Sequence, residues 1–303
     1  ADLSRTEALC AYLGNPEKGL RCIHVAGTNG KGSVSHMWSA ILQEHEFRTG
    51  LFTSPHLKDF RERIRIDGKP VSKDFVVDWV DRHRDYLESA GMSFFEMNVG
   101  MALDAFREYK VDVAVLEVGM GGRLDSTNVV LPELCIITNI SFDHMQYLGD
   151  TLPKIAREKA GIIKRDVPVV IGESVTETRT VFVELARHQG APIFFAEEME
   201  LHLPPCDLKG PHQHKNLRST LASVQVQQSF SLQPEKVASA LSKVTQLSGL
   251  RGRWEVMGES PLVIADTAHN EAGIKANMEA LLQEARIGQW HIVWGMVNDK
   301  DLD

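Results

Sequence analysis

Cysteine is scarce in this chain of 303 residues, and none of it falls in a pattern that carries chemistry. The four residues Cys10, Cys22, Cys135 and Cys206 form no C-x-x-C pair and no Cys/His metal spacing. Cys135 lies in the apolar run LCIITNI, which predicts a buried, reduced thiol and a reducing compartment, the cytoplasm. Long apolar runs are missing too. None approaches the ~20 residues that cross a bilayer, so no membrane partner is expected. Positive charge is in deficit, with 33 basic residues against 41 acidic and a net charge of -8. That argues against a nucleic-acid surface spread over the chain, while leaving room for a local basic pocket. Repeats, low-complexity tracts, Ser-His-Asp arrangements and reactive-cysteine motifs are all absent.

What is present is an alternation. Strand-type runs are expected at Arg21–Val25, Gly50–Thr53, Val111–Val118, Leu134–Ile140, Val167–Ile171, Pro192–Phe195, Pro261–Asp266 and His291–Gly295. Helical patterns are expected at Lys31–Glu46, Lys73–Ser89, Phe95–Tyr109, Leu152–Gly161, Glu177–His188, Asn216–Ser229, Pro234–Gln246 and Glu271–Ala285. This order predicts an α/β protein, a mostly parallel sheet between two helical layers. One hairpin interrupts it, RERIRIDGKPVS, turning at Asp67-Gly68. The start reads as an amphipathic helix ended by Gly14-Asn15-Pro16 rather than a signal peptide. In TQLSGLRGRWEV two glycines follow a helix and a new strand begins, so a first domain is expected over residues 1–248 and a second, Rossmann-like α/β unit over 249–303. Two strands and one helix are too little for a stable domain, which predicts a longer natural protein truncated here. The missing initiator Met predicts residues upstream as well. No long exposed apolar patch is evident, and a monomer is expected.

The chemistry should gather beyond the carboxyl ends of the strands. After the first comes AGTNGKGS, with Asn29, Gly30, Lys31, Gly32 and Ser33 leading into a helix. It departs twice from the template G-x-x-x-x-G-K-[ST]: position 25 is Val25, and Gly32 delays the hydroxyl to Ser33. Strand before and helix after still mark a phosphate loop, with Lys31 neutralising charge. The run VDVAVLEVGMGG ends its apolar strand in Glu117, where a Mg²⁺-organising carboxylate belongs downstream of such a loop. Ser54, in TSPH, is either a turn residue or a magnesium ligand. His144 reads as a surface histidine, the usual case for a lone His, since Mg²⁺ prefers oxygen. Lys159 is, on spacing alone, a solvated lysine.

The motifs HVAGTNGKGS, LFTSPHL, FFE, LEVGMGGRLDSTN, SFDHMQYLG, REKAGI, HQHKN, LRGRWE, ADTAHN and GMVNDKD occur in this order over nearly the whole chain. The series resembles the folylpolyglutamate synthase family, often bifunctional with dihydrofolate synthase, within the Mur ligase superfamily. The inserted Gly32 is the folate-type variant of the loop. The resemblance implies that Asn29, Gly30, Lys31, Gly32 and Ser33 hold the phosphates of ATP. Asn216, Arg253 and Asp266 would contact the nucleotide. It further implies that Ser54, Glu117 and His144 ligate one or two Mg²⁺ and that Lys159 is carbamylated to join them. Lys31, Lys159 and His144 are then the catalytic set. Folate would lie against Ser93, Phe94, Phe95, Glu96, Leu124, Asp125 and Ser126, aromatic rings beside carboxylates. The implied reaction joins L-glutamate to a folate or dihydropteroate carboxylate through an acyl phosphate. A UDP-muramyl amino-acid ligase and a nucleotide-dependent regulatory protein remain open, with Gly32, FFE and GRLDSTN counting against the first.

Overall fold

A computed structural model of the chain describes residues 2–210, 212–283 and 289–295. Its centre is an eight-stranded sheet: β1 (Cys22–Ala26), β2 (Thr49–Phe52), β3 (Ile64–Ile66), β4 (Lys69–Pro70), β5 (Val113–Glu117), β6 (Leu134–Ile137), β7 (Val169–Ile171) and β8 (Ile193–Phe195). Their order is β4-β3-β2-β5-β1-β6-β7-β8, parallel except for β3 and β4. Those two are the expected hairpin, turning through Asp67 and Gly68, both at positive φ. Strands β1, β2, β5, β6 and β7 are buried on both faces, which is why they read as continuous Val, Ile and Leu runs.

Helices cover both faces. They are α1 (Ser4–Tyr12), α2 (Lys31–Glu44), α3 (Lys73–Ser89), α4 (Phe94–Glu108), α5 (Met145–Leu148), α6 (Leu152–Lys159), α7 (Thr176–Gln189), α8 (Gln213–Val226), α9 (Pro234–Leu241) and α10 (Val244–Ser248). On one face Val34, Trp38 and Leu42 of α2 and Ala222 of α8 pack with Ile23, Val25, Val115 and Ile136. On the other, α1, α3 and α4 meet Cys22, Phe52, Ala114 and Leu116, while α6 and α7 meet Ala26, Cys135, Ile137 and Val169. The chain leaves β1 for one face and β6 for the other, so the loops beyond these neighbouring strands part and open a crevice.

A separate antiparallel pair, β9 (Glu255–Glu259) and β10 (Leu262–Ala265), is followed by α11 (Glu271–Gln283). The link into it bends at Gly249, Gly252 and Trp254, all with positive φ. Two expectations are corrected. The helix expected over Pro234–Gln246 is broken into α9 and α10, because Asp207 accepts from Val244 N at 3.0 Å and Thr245 N at 2.9 Å and starts a new helix there. Residues 291–295 form no strand. The end of the helix expected to Ala285, and GMVNDKD after Gly295, lie outside the described residues. No helix among the described residues is long and apolar enough to cross a membrane.

Candidate active site

The glycine loop sits in the crevice as residue type dictates. Gly27 and Gly30 both have positive φ. A Cβ on Gly27 would strike Thr138 and one on Gly30 would strike the Asn216 amide, so neither position admits a side chain. The loop is braced from β6: Asn139 O accepts from Thr28 N at 2.9 Å, and Asn139 Oδ1 accepts from Asn29 N at 3.0 Å. Gly30 is the N-cap of α2 and offers no side-chain acceptor, which leaves the first-turn N–H groups for an anion. Lys31 Nζ donates to Gly27 O and Thr28 O, each at 3.1 Å, folding back over the loop. Ser33 is buried, and its Oγ accepts from Gln213 Nε2 at 3.2 Å. Gln213 Oε1 in turn accepts from Asn216 Nδ2 at 3.0 Å, tying α8 to the loop.

Glu117 ends β5 at 4% exposure, and burial raises its carboxyl pKa against the opposing pull of Lys31 and Arg253. It accepts from Ser54 N at 3.2 Å. Beside it Gly32 has no side chain, and the Glu117 carboxylate and Arg253 guanidinium close on that gap. Lys159 ends α6 on the opposite side of the loop. It is no solvated lysine: it is 4% exposed, with Nζ donating to Gly27 O at 2.8 Å. Burial first, and then the charge of Lys31, push its pKa down to about 7. His144 caps α5 in a left-handed conformation at the cavity rim. A cavity of about 170 Å³ joins Asn29–Ser33, Ser54, Glu117, His144, Lys159, Asn216, Arg253 and Asp266. These are the twelve residues expected for nucleotide and metal, brought together from eight segments of the chain.

The residues expected for folate fare differently, and none of the seven lines that cavity. Glu96 is buried in a capping box with Ser93: its Oε2 accepts from Ser93 N at 2.7 Å, and its Oε1 accepts from Arg5 Nε at 3.0 Å. Asp125 is buried and accepts from Met120 N, Thr127 N and Thr127 Oγ1. Both carboxylates therefore hold the backbone, whereas the resemblance implied that they lie against the folate. Ser126 is buried in the turn that Asp125 caps. Phe95 packs on Gly119 and on Phe52, leaving Phe94 and Leu124 as the exposed apolar surface. The Arg63 guanidinium lies 5.4 Å from the Phe94 ring centre. Asp266 is likewise engaged, accepting from Trp254 N, Ala268 N and Asn277 Nδ2 within the second unit.

Sequence reasoning missed several participants. Asn270 Nδ2 donates to Asn29 Oδ1 at 2.8 Å and joins the second unit to the loop. Asp143 lies between His144 and His269, 3.8 and 4.0 Å from their Nε2 atoms. The signal for both lay in ADTAHN and SFDH, whose polar residues follow strands.

A phosphate-type loop between parallel strands, with a buried carboxylate and a buried lysine across it, defines a nucleotide-dependent ligase of the Mur type. Residues 25–202 match the Mur ligase middle domain, and 252–303 match the Mur ligase glutamate ligase domain. The chain belongs to the folylpolyglutamate synthase/dihydrofolate synthase family. It is 35% identical to the dihydrofolate synthase/folylpolyglutamate synthase of Bacillus subtilis over 98% of its own length and 76% of the relative's. With a probable bifunctional folylpolyglutamate synthase/dihydropteroate synthase of Haloferax volcanii it shares 34% identity over 97% of this chain, spanning 38% of that relative. A solved folylpolyglutamate synthase complexed with the ATP analogue AMPPCP and folate superposes with a TM-score of 0.85 at 32% identity, covering 94% of this chain and 76% of the other.

Proposed function

We propose that this chain binds ATP at the glycine loop, transfers its γ-phosphoryl group to a carboxylate of a folate or dihydropteroate acceptor, and joins the resulting acyl phosphate to L-glutamate. The carbon–nitrogen bond forms as the carbon–oxygen bond to phosphate breaks, and the ammonium proton leaves. One observation carries the reading: Lys31, Glu117 and Lys159, all at one loop, combine a phosphate cradle with a buried anion and a lysine able to be neutral near pH 7. A similar protein bound to an ATP analogue and folate supports it.

Asn29–Ser33 and the open N-terminus of α2 orient the phosphates, and Lys31 moves from loop carbonyls to phosphate oxygens. Asn216, Arg253 and Asp266 border the nucleotide. Mg²⁺ fits this donor set, because Glu117 is an enclosed carboxylate with one backbone donor, Ser54 N, and lines the same cavity as Ser54, His144 and Lys159. Ser54, Glu117, His144 and carbamylated Lys159 would hold it. Among the described residues no three His, Cys, Asp or Glu side chains form a ready metal cluster, so waters and phosphate oxygens would complete the shell. Bound there, the cation supplies neutralisation of phosphate charge. We place the acceptor against Phe94, Phe95 and Leu124, with Ser93, Glu96, Asp125 and Ser126 holding the backbone behind them. We assign residues 1–248 to the ATP-binding central domain and 249–303 to the glutamate-ligase domain. Four free cysteines suit a cytoplasmic protein, which we take to act as a monomer.

The test is product analysis with MgATP, L-glutamate and either dihydropteroate or a reduced folate. The reading expects ADP and an acceptor longer by one glutamyl unit. ADP release that is indifferent to both acceptors would overturn it.

A further inference from the structure

Beside the loop cavity lies a second one of about 280 Å³, sharing Gly32, Ser54, Glu117 and Arg253 with it. Its wall holds an unusual group. Arg65, on β3, is 8% exposed, and its Nε is enclosed without a hydrogen-bond partner. Its neighbour on the same face, Arg63, donates from Nε to His56 Nδ1 at 2.8 Å, so the lack is peculiar to Arg65. Glu62 supplies an opposing charge, yet its oxygens already accept from the backbone N–H groups of Leu57, Lys58 and Asp59. A buried guanidinium left in this state is costly unless an anion meets it.

A second group in the wall has the opposite character. Ser248 Oγ donates to Val244 O at 2.6 Å, so its contact at 2.8 Å receives the proton of His36 Nδ1. His36 Nε2 is therefore a bare acceptor. A fixed cation and a neutral acceptor in one small cavity match a carboxylate and an ammonium.

We propose that this cavity is a carboxylate subsite anchored by Arg65, taking either the incoming L-glutamate or the terminal γ-linked glutamate of an acceptor tail. The identity of the ligand rests on the ligase reading above; the presence of an anion site does not. The shared residues put the bound carboxylate's amine or neighbouring carboxyl at the phosphate end of the loop, where the amide forms.

The test is thermal unfolding and calorimetric titration of the full chain, with a non-hydrolysable ATP analogue present, for wild type, Arg65→Lys and Arg65→Met. The probes are L-glutamate, the dipeptide γ-glutamylglutamate and, as a control without any carboxylate, the diamide of L-glutamic acid. Wild type should be stabilised by one of the first two probes and not by the diamide; which one identifies the source. Arg65→Met should weaken that binding by about tenfold or more, a lost charge-assisted bond, and Arg65→Lys by less. Without ligand, Arg65→Met should melt no lower than wild type, because it removes an enclosed charge; a merely structural arginine would give a lower Tm. Equal binding by wild type and Arg65→Met, or a wild type unmoved by both probes, overturns the proposal. Absence of ADP release in the product assay would overturn the ligase reading alone.

Discussion

Glu117, Lys159, His24 and His36 are each nearly or wholly removed from water, and each has its pKa moved by burial first. For Glu117 the raised pKa marks an anion that needs a cation. Glu117→Gln keeps the shape and removes the charge. Turnover should fall by about a hundredfold, a lost phosphoryl-clamping interaction, and the remaining activity should need more Mg²⁺. A magnesium titration identical to wild type would make Glu117 structural. For the two histidines the consequence is pH-dependent stability. Both are pushed from 6.5 down to about 3, so between these values the unfolded chain binds protons that the folded chain excludes. Stability is therefore full above pH 6.5 and falls as the pH drops, by about 1.4 kcal/mol per unit for each histidine. Unfolding measured from pH 7.5 to 5 should show this decline, and His36→Gln should flatten it. A curve with no slope below pH 6.5 would contradict the burial of both rings.

At the scale of elements, most of the sheet was legible because its strands are apolar on both faces and its breaks are glycine turns. Gly14-Asn15 after α1 and Asp67-Gly68 between β3 and β4 fall where their residue types demand. The loop glycines were legible too, since only glycine tolerates Gly27 and Gly30 against Thr138 and Asn216. What escaped depends on contacts distant in sequence. Asp207 caps α10 from more than thirty residues away, dividing a helix whose periodicity looks unbroken. The caps made by Glu96 and Asp125 were not legible, because a sequence does not reveal which acids their own backbone will claim. Ser93 tests the first of them. Its hydroxyl accepts from Glu96 N while Glu96 returns the bond, so Ser93→Ala should lower unfolding stability by about 1 kcal/mol. Acceptor affinity should change little. A loss of acceptor binding without loss of stability would return Ser93 and Glu96 to the ligand.

Across the whole molecule, two α/β units meet at one loop. Asn270 reaches Asn29, and Arg253 with Glu117 closes over Gly32, so the second unit contributes directly to the phosphate site. Lys31 is the cation this arrangement is built around, and Lys31→Ala should abolish acceptor-dependent ADP release while the fold persists; unchanged turnover would remove the phosphate-loop assignment. The central claim is that the acceptor carboxylate itself takes the phosphoryl group. Supplying an acceptor whose carboxylate oxygens are isotopically heavy, with MgATP and L-glutamate, tests it most directly. The account predicts that one heavy oxygen leaves with each inorganic phosphate as the amide forms. Phosphate released without heavy oxygen would show that no acyl phosphate is formed and would contradict the account.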